Sequence, residues 1–135
     1  MKQFVTVVKH LVATLALSAI VSSNAQVVIN EIMFHPALNT PEEEFIELFN
    51  RSGSNVNLGG WRLEQGIDFA FPANISIGPG QYLVVAADTN RFRAIYPTIE
   101  NVIGNWIGTL NNGRQTVRLV NSAGVEINEV SYADE

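Results

Sequence analysis

Glu31, Glu42, Glu43, Glu44 and Glu47 are the residues whose type and spacing could do chemistry in this chain. Carboxylates gathered round one point hold a hard cation, which needs several oxygens at about 2.3–2.6 Å. Two carboxylates held about 5–9.5 Å apart across a cleft can instead hydrolyse a glycosidic bond. Three of the five acids are consecutive in "EEEFIELFN" (42–50). In a strand, Glu44, Ile46 and Leu48 share one side, while Phe45, Glu47 and Phe49 share the other. Ile46 and Leu48 then belong to a core, and Glu42 and Glu43 to the loop before the strand. Neighbours in an extended run do not converge, and Glu31 is the one carboxylate outside the run placed to help. The spaced Asp/Asn/Gly pattern of a calcium loop is missing. The acidic run therefore reads as the solvated lip of a strand. A weak calcium site on Glu31, Glu42, Glu43, Glu44 and Glu47 is the alternative. Glu31 and Glu47 could reach the separation of a two-acid hydrolase, but nothing in the sequence announces a cleft.

Other chemistries have fewer candidates. His35 is the only histidine after residue 25 and stands before Pro36 at a strand end, the place of a loop residue rather than a general base. The chain has no cysteine, so it offers no thiolate nucleophile, no disulfide and no Cys-based zinc site. It has no Gly-x-Ser-x-Gly elbow. Gly59, Gly60, Gly78 and Gly80 read as turn residues, because none lies between a strand and a following helix as a phosphate cradle requires. Phe34, Trp61, Phe69, Phe71, Tyr82, Trp106 and Tyr132 could stack on a sugar, but they fit a hydrophobic core better. Trp61 heads a strand after a Gly-Gly bend and is expected to anchor that core, so that its replacement by alanine costs about 3–5 kcal/mol. "NRS" (50–52) and "NIS" (74–76) match the glycosylation pattern, which matters only in a eukaryotic host. No catalytic residue and no cofactor is assigned.

The elements that must position these residues begin after an export signal. Lys2 and Lys9 precede the apolar "LVATLALSAIV" (11–21), which is too short to span a bilayer, and "SSNA" ends in small residues. Residues 1–25 are thus expected to be a cleaved signal peptide, placing the protein in the periplasm, at the cell surface or outside the cell. Its loss leaves 110 of the 135 residues and moves the net charge from −5 to −7. That length suits one domain, 26–135, with one core. An acidic surface repels phosphate backbones, and the six arginines between Arg51 and Arg118 form no basic patch, so nucleic acid is an unlikely ligand class.

Short apolar runs between Gly, Pro and Asn punctuation predict an all-β chain. The runs are "VVINEIMF" (27–34), "FIELFN" (45–50), "VNL" (56–58), "WRLE" (61–64), "FAFP" (69–72), "NISI" (74–77), "YLVVAA" (82–87), "TVRLV" (116–120) and "VEINEVSY" (125–132). Asp88 or Thr89 can cap one short helix over "NRFRAIY", with Phe92, Ile95 and Tyr96 packing from one side. Asn121 to Gly124 should turn the last hairpin. The apolar phase changes between Ile127 and Val130, which predicts a bulge or a change of sheet near Asn128-Glu129. The expected architecture is an immunoglobulin-like β-sandwich of roughly seven to nine strands with one short helix.

The order of these pieces resembles the lamin-tail domain, in the form found in secreted bacterial proteins. The matching stretches are "VINEIMFHP" (28–36), "EFIELFNRSGSNVNLGGWRL" (44–63), "FAFPANISIGPGQYLVVAAD" (69–88) and "GTLNNGRQTVRLVNSAGVEINEVSY" (108–132). The specific features are Asn50, Leu58-x-x-Trp61, Phe71-Pro72, Pro79-Gly80 and the Asn-rich turn before "TVRL". The resemblance implies an immunoglobulin-like sandwich and a non-catalytic module for attachment or interaction, with Asn50, Trp61, Pro72 and Gly80 as structural positions. It also implies a final strand running on past Tyr132. The chain is then expected to be truncated at its C-terminus and to form the front of a larger secreted or cell-surface protein, held to a protein or surface partner. The competing expectations are a calcium- or carbohydrate-binding sandwich, or an accessory domain of a secreted hydrolase or nuclease.

Overall fold

The computed structural model describes residues 25–133, and the expected signal peptide lies almost wholly outside them. Eleven strands and one helix follow in order: β1 (Val27–Met33), β2 (Phe45–Asn50), β3 (Val56–Asn57), β4 (Arg62–Glu64), β5 (Ile67–Ala70), β6 (Ser76–Ile77), β7 (Tyr82–Ala86), α1 (Thr89–Ile95), β8 (Val102–Gly104), β9 (Ile107–Gly108), β10 (Arg114–Val120) and β11 (Glu126–Ala133). A single 3-10 turn spans Pro41–Glu43. The two strands beyond the nine runs that the sequence suggests are β8 and β9, only three and two residues long and so too short to show an apolar pattern.

A four-stranded sheet, in the order β1-β2-β7-β8, packs on a five-stranded sheet, β11-β10-β4-β5-β9, with β3-β6 as a small third pair. Between them lies the main core. Ile46 and Leu48 face Leu63, Val117 and Leu119 there, all fully buried, with Phe69, Phe71, Leu83, Val85 and Trp106 completing the layer. A second cluster lies on the other side of the four-stranded sheet, where Phe92 of α1 seats on Phe45, Val84, Ala86 and Val102. Leu83 to Ala86 are therefore buried on both faces, which explains a continuous apolar run in place of alternation.

The helix is the crossover of the one parallel pair, β7 with β8, since parallel neighbours cannot be joined by a tight turn. Asp88 caps it, accepting from the N–H groups of Asn90 (2.8 Å) and Arg91 (2.9 Å). Only Phe92 of its three expected packing residues is buried. Ile95 and Tyr96 remain 40% and 36% exposed, because a two-turn helix touches the sheet over little more than one turn. Gly104 ends β8 at φ 152°, and a Cβ there would lie 2.0 Å from the Ala86 carbonyl oxygen. Only glycine fits.

Two bulges set which way side chains face. In β1 the register slips at Asn30, so Ile29 pairs with Leu48 but Glu31 with Glu47. Ile32 then turns towards the main core, while Glu31 and Met33 turn outward. In β11 the slip falls at Ile127, one residue before the expected place, where Leu119 pairs with Asn128 and Val120 with Glu126. The Asn128 side chain accepts the Ile29 N–H at 2.8 Å and so ties the two sheets together. Gly124, at φ 76°, turns the last hairpin as expected.

Candidate interaction face

Asn50 closes β2 and is fully buried. Its amide donates to the carbonyls of Ser54 (2.8 Å), Ile77 (2.8 Å) and Gly78 (3.0 Å), and its Oδ1 accepts from the Ser52 N–H (2.9 Å) and hydroxyl (2.7 Å). Its backbone bonds Gln81 and Gly80, the latter held at φ 68°. One side chain thus fastens the turn after β2 to the turn before β7. A buried amide so occupied cannot carry a glycan, and of the two glycosylation patterns only that at the exposed Asn74 is accessible. Pro72 is exposed at the β5–β6 turn, where its carbonyl accepts the Ile75 N–H. Trp61 is not the expected buried anchor. The bend at Gly60 leaves it at the sheet margin, packed against the core but half-buried. The buried indole is Trp106, 8% exposed.

The five carboxylates occupy different surroundings. Glu42 is exposed. Glu43 pairs with Arg91 of the helix, Nε to Oε1 at 3.1 Å. Glu44 corrects the reading of a solvated lip. It is 3% exposed, and its Oε2 accepts the Leu110 N–H at 2.9 Å. Its alternation with Ile46 and Leu48 marks the inward side, but the partner lies 66 residues away and leaves no local signal. Burial raises its pKa above the ordinary 4.5; the Leu110 bond opposes this and Glu42 adds to it. Tyr132 shares the region, its hydroxyl donating to Gln115 at 2.9 Å and its ring stacked on Phe34 at 4.2 Å. Burial, offset by a backbone bond from Asn111 and reinforced by the Glu44 charge, pushes Tyr132 up to about 12. Among the described residues no group of three or more His, Cys, Asp or Glu could hold a metal ion.

Glu31 and Glu47 do come together, as direct cross-strand partners on the outer face of the four-stranded sheet. Side chains so placed stand with Cβ atoms about 4.5–5.5 Å apart, and like charges there repel. The Asn30 amide donates to Glu47 Oε1 at 2.8 Å, and among the described residues neither acid has an arginine in ion-pair range. Beside them the surface dips into a hollow of about 220 Å³, contrary to the expectation of no cleft. Phe45, Val84 and Phe92 form its floor, with Met33, Tyr96 and Ile99 at the sides. Three aromatic rings meet there: Phe45 is edge-on to Phe92 (5.4 Å) and to Tyr96 (6.1 Å), and Phe92 lies 4.8 Å from Tyr96. On the same sheet face Phe49 stacks on Tyr82 at 4.6 Å, leaving Tyr82 46% exposed. His35 and Arg93 stay outside the hollow, which is open to water.

Two packed sheets with a short crossover helix define an immunoglobulin-like β-sandwich. The family model of the Lamin Tail Domain matches residues 20–134, and the chain belongs to that family, an immunoglobulin-like and non-enzymatic one. No curated protein matches the chain. None of the helices in the described residues is long and apolar enough to cross a membrane.

Proposed function

We propose that this chain is an exported, non-catalytic interaction module that docks a protein partner on the outer face of its four-stranded sheet. The observation that carries this reading is the composition of that face. Tyr96 and Ile99 line a hollow with an apolar floor, Ile95 neighbours Tyr96 and Tyr82 lies further along the same sheet face, and the four stand between 36% and 46% exposed. Large apolar side chains grouped on one face, rather than scattered, mark a contact surface. Family membership supports a binding role, and the signal-like sequence of residues 1–25 supports export. Attachment of a larger secreted or surface protein follows if the module is its first folded part.

Position-specific photo-crosslinking tests the face. A photoreactive residue at Tyr82 should yield protein adducts in the native host, whereas one at Ala123, in the exposed turn of the β10–β11 hairpin, should not. Equal labelling at both sites, or none at Tyr82, would refute the assignment. Export has its own test. The protein recovered outside the cytoplasm should begin at Gln26, and an intact Met1 in the cytoplasmic fraction would remove that part of the proposal.

A further inference from the structure

The hollow beside Glu31 and Glu47 joins two features that are each costly in a surface with no ligand. Its floor of Phe45, Val84 and Phe92 is apolar, and its rim carries two acids placed opposite each other with no described cation between them. A cation with an apolar stem would satisfy both. Lys and Arg side chains lay their methylenes on apolar surface and hold the charge at its edge. Aromatic rings add attraction to a cation lying over them, the more so for a planar guanidinium. Two carboxylates on one side match the forked donors of that group.

We infer that this hollow is a receptor for an arginine side chain of the protein partner, the stem lying over Phe45, Val84 and Phe92 and the guanidinium bonding Glu31 and Glu47. The inference rests on the docking role of this face and names the chemistry of what docks. The acids hold the charged end, and Tyr96 and Ile99 border the stem. Asn30 fixes Glu47 from the side, so the pair is oriented before the ligand arrives. The repulsion between the two acids in the empty site is the counterpart of that affinity.

The probe is an end-blocked Gly-Arg-Gly peptide titrated into the purified chain and followed by NMR. Its control is the same peptide with citrulline, which has the shape of arginine without the charge. The arginine peptide should shift the Met33 methyl and Phe92 ring signals, and citrulline should bind about tenfold more weakly or not at all. Glu31→Gln with Glu47→Gln should abolish arginine binding while slightly raising the melting temperature, as relief of a like-charge pair requires. Added salt should weaken the arginine complex. Equal shifts with citrulline, full binding by the double variant, or no shift with the arginine peptide at millimolar concentration would each overturn the inference. Crosslinking from Tyr82 that persists without arginine binding would leave the docking face standing and remove only this ligand.

Discussion

The two outer faces of this sandwich are built from the same kind of strand and finished differently. On the five-stranded sheet, Arg118 lies between its register partners Glu64 and Glu129, with Oε1 of Glu64 at 3.8 Å and Oε2 of Glu129 at 3.0 Å, and it also meets Glu126 at 3.2 Å. Arg62 pairs with Asp68, and Thr116 bonds Ser131 across the β10–β11 register at 2.8 Å. Each of these acids has an arginine of the same sheet in ion-pair range. On the four-stranded sheet two acids face each other beside exposed aromatic and aliphatic groups. The five-stranded face pairs its acids internally, with Ile107 of the edge strand β9 exposed at 75%. The other leaves two acids, unpaired among the described residues, and a group of apolar side chains at its surface, and that difference supports the proposed docking side.

The comparison breaks most severely if the second hydrophobic cluster is lost. Phe92 is 2% exposed and is the only residue of α1 that is buried. Phe92→Ala should lower stability by about 3–5 kcal/mol by removing a buried ring and leaving a cavity under the helix. Chemical denaturation checks it. A loss under about 1 kcal/mol would show that the helix is an ornament on the sheet and the hollow floor a surface feature.

Asn50 comes next. Asn50→Ala strands three carbonyls and the Ser52 N–H in a region of low exposure, and should cost about 2–4 kcal/mol. The readout is the denaturation midpoint, with an unchanged midpoint refuting the role. This residue was legible only through the family resemblance, which marks it as a structural position. Nine of the strands, the Asp88 cap and the Gly124 turn were legible because their causes lie within a few residues of chain, whereas the short β8 and β9 were not. What escaped depends on distant partners or on register. A strict period of two groups Glu31 with Val27 and Ile29, on the core side. The bulge at Asn30 turns it outward beside Glu47, and no residue type near it announces the slip. The burial of Glu44 escaped because an acidic run suggests solvent, while the Leu110 N–H that receives it arrives from the loop before β10.

Glu44 allows a pH test of that buried acid against the solvated ones. Its folded pKa lies above the unfolded 4.5, so the folded state holds the proton more tightly. The contribution is fully present below 4.5 and is lost as pH rises through the raised value. Glu44→Gln keeps an oxygen for the Leu110 N–H and removes the titration. The stability difference between wild type and variant should therefore shift in favour of the variant from pH 4 to pH 7. Parallel curves over that interval would place Glu44 in solvent after all.

The smallest effects give the sharpest contrast, because each converts one face into the other. Arg118→Gln leaves Glu64, Glu126 and Glu129 facing one another without their cation, the condition Glu31 and Glu47 already have. Its cost should be about 0.5–1 kcal/mol, shrinking in high salt, since Arg118 is 32% exposed and its three partners more so, and solvent screens them. Glu31→Lys does the reverse, setting a cation opposite Glu47 in the register of a cross-strand pair, and should add about 0.2–1 kcal/mol. The introduced lysine would also occupy the acidic rim itself, so arginine binding should vanish in the same variant that gains stability. Thermal melts at low and high salt, with the peptide titration alongside, read both effects. If Glu31→Lys destabilised the domain, the two acids would not be an uncompensated pair, and the distinction between the faces would fail at its centre.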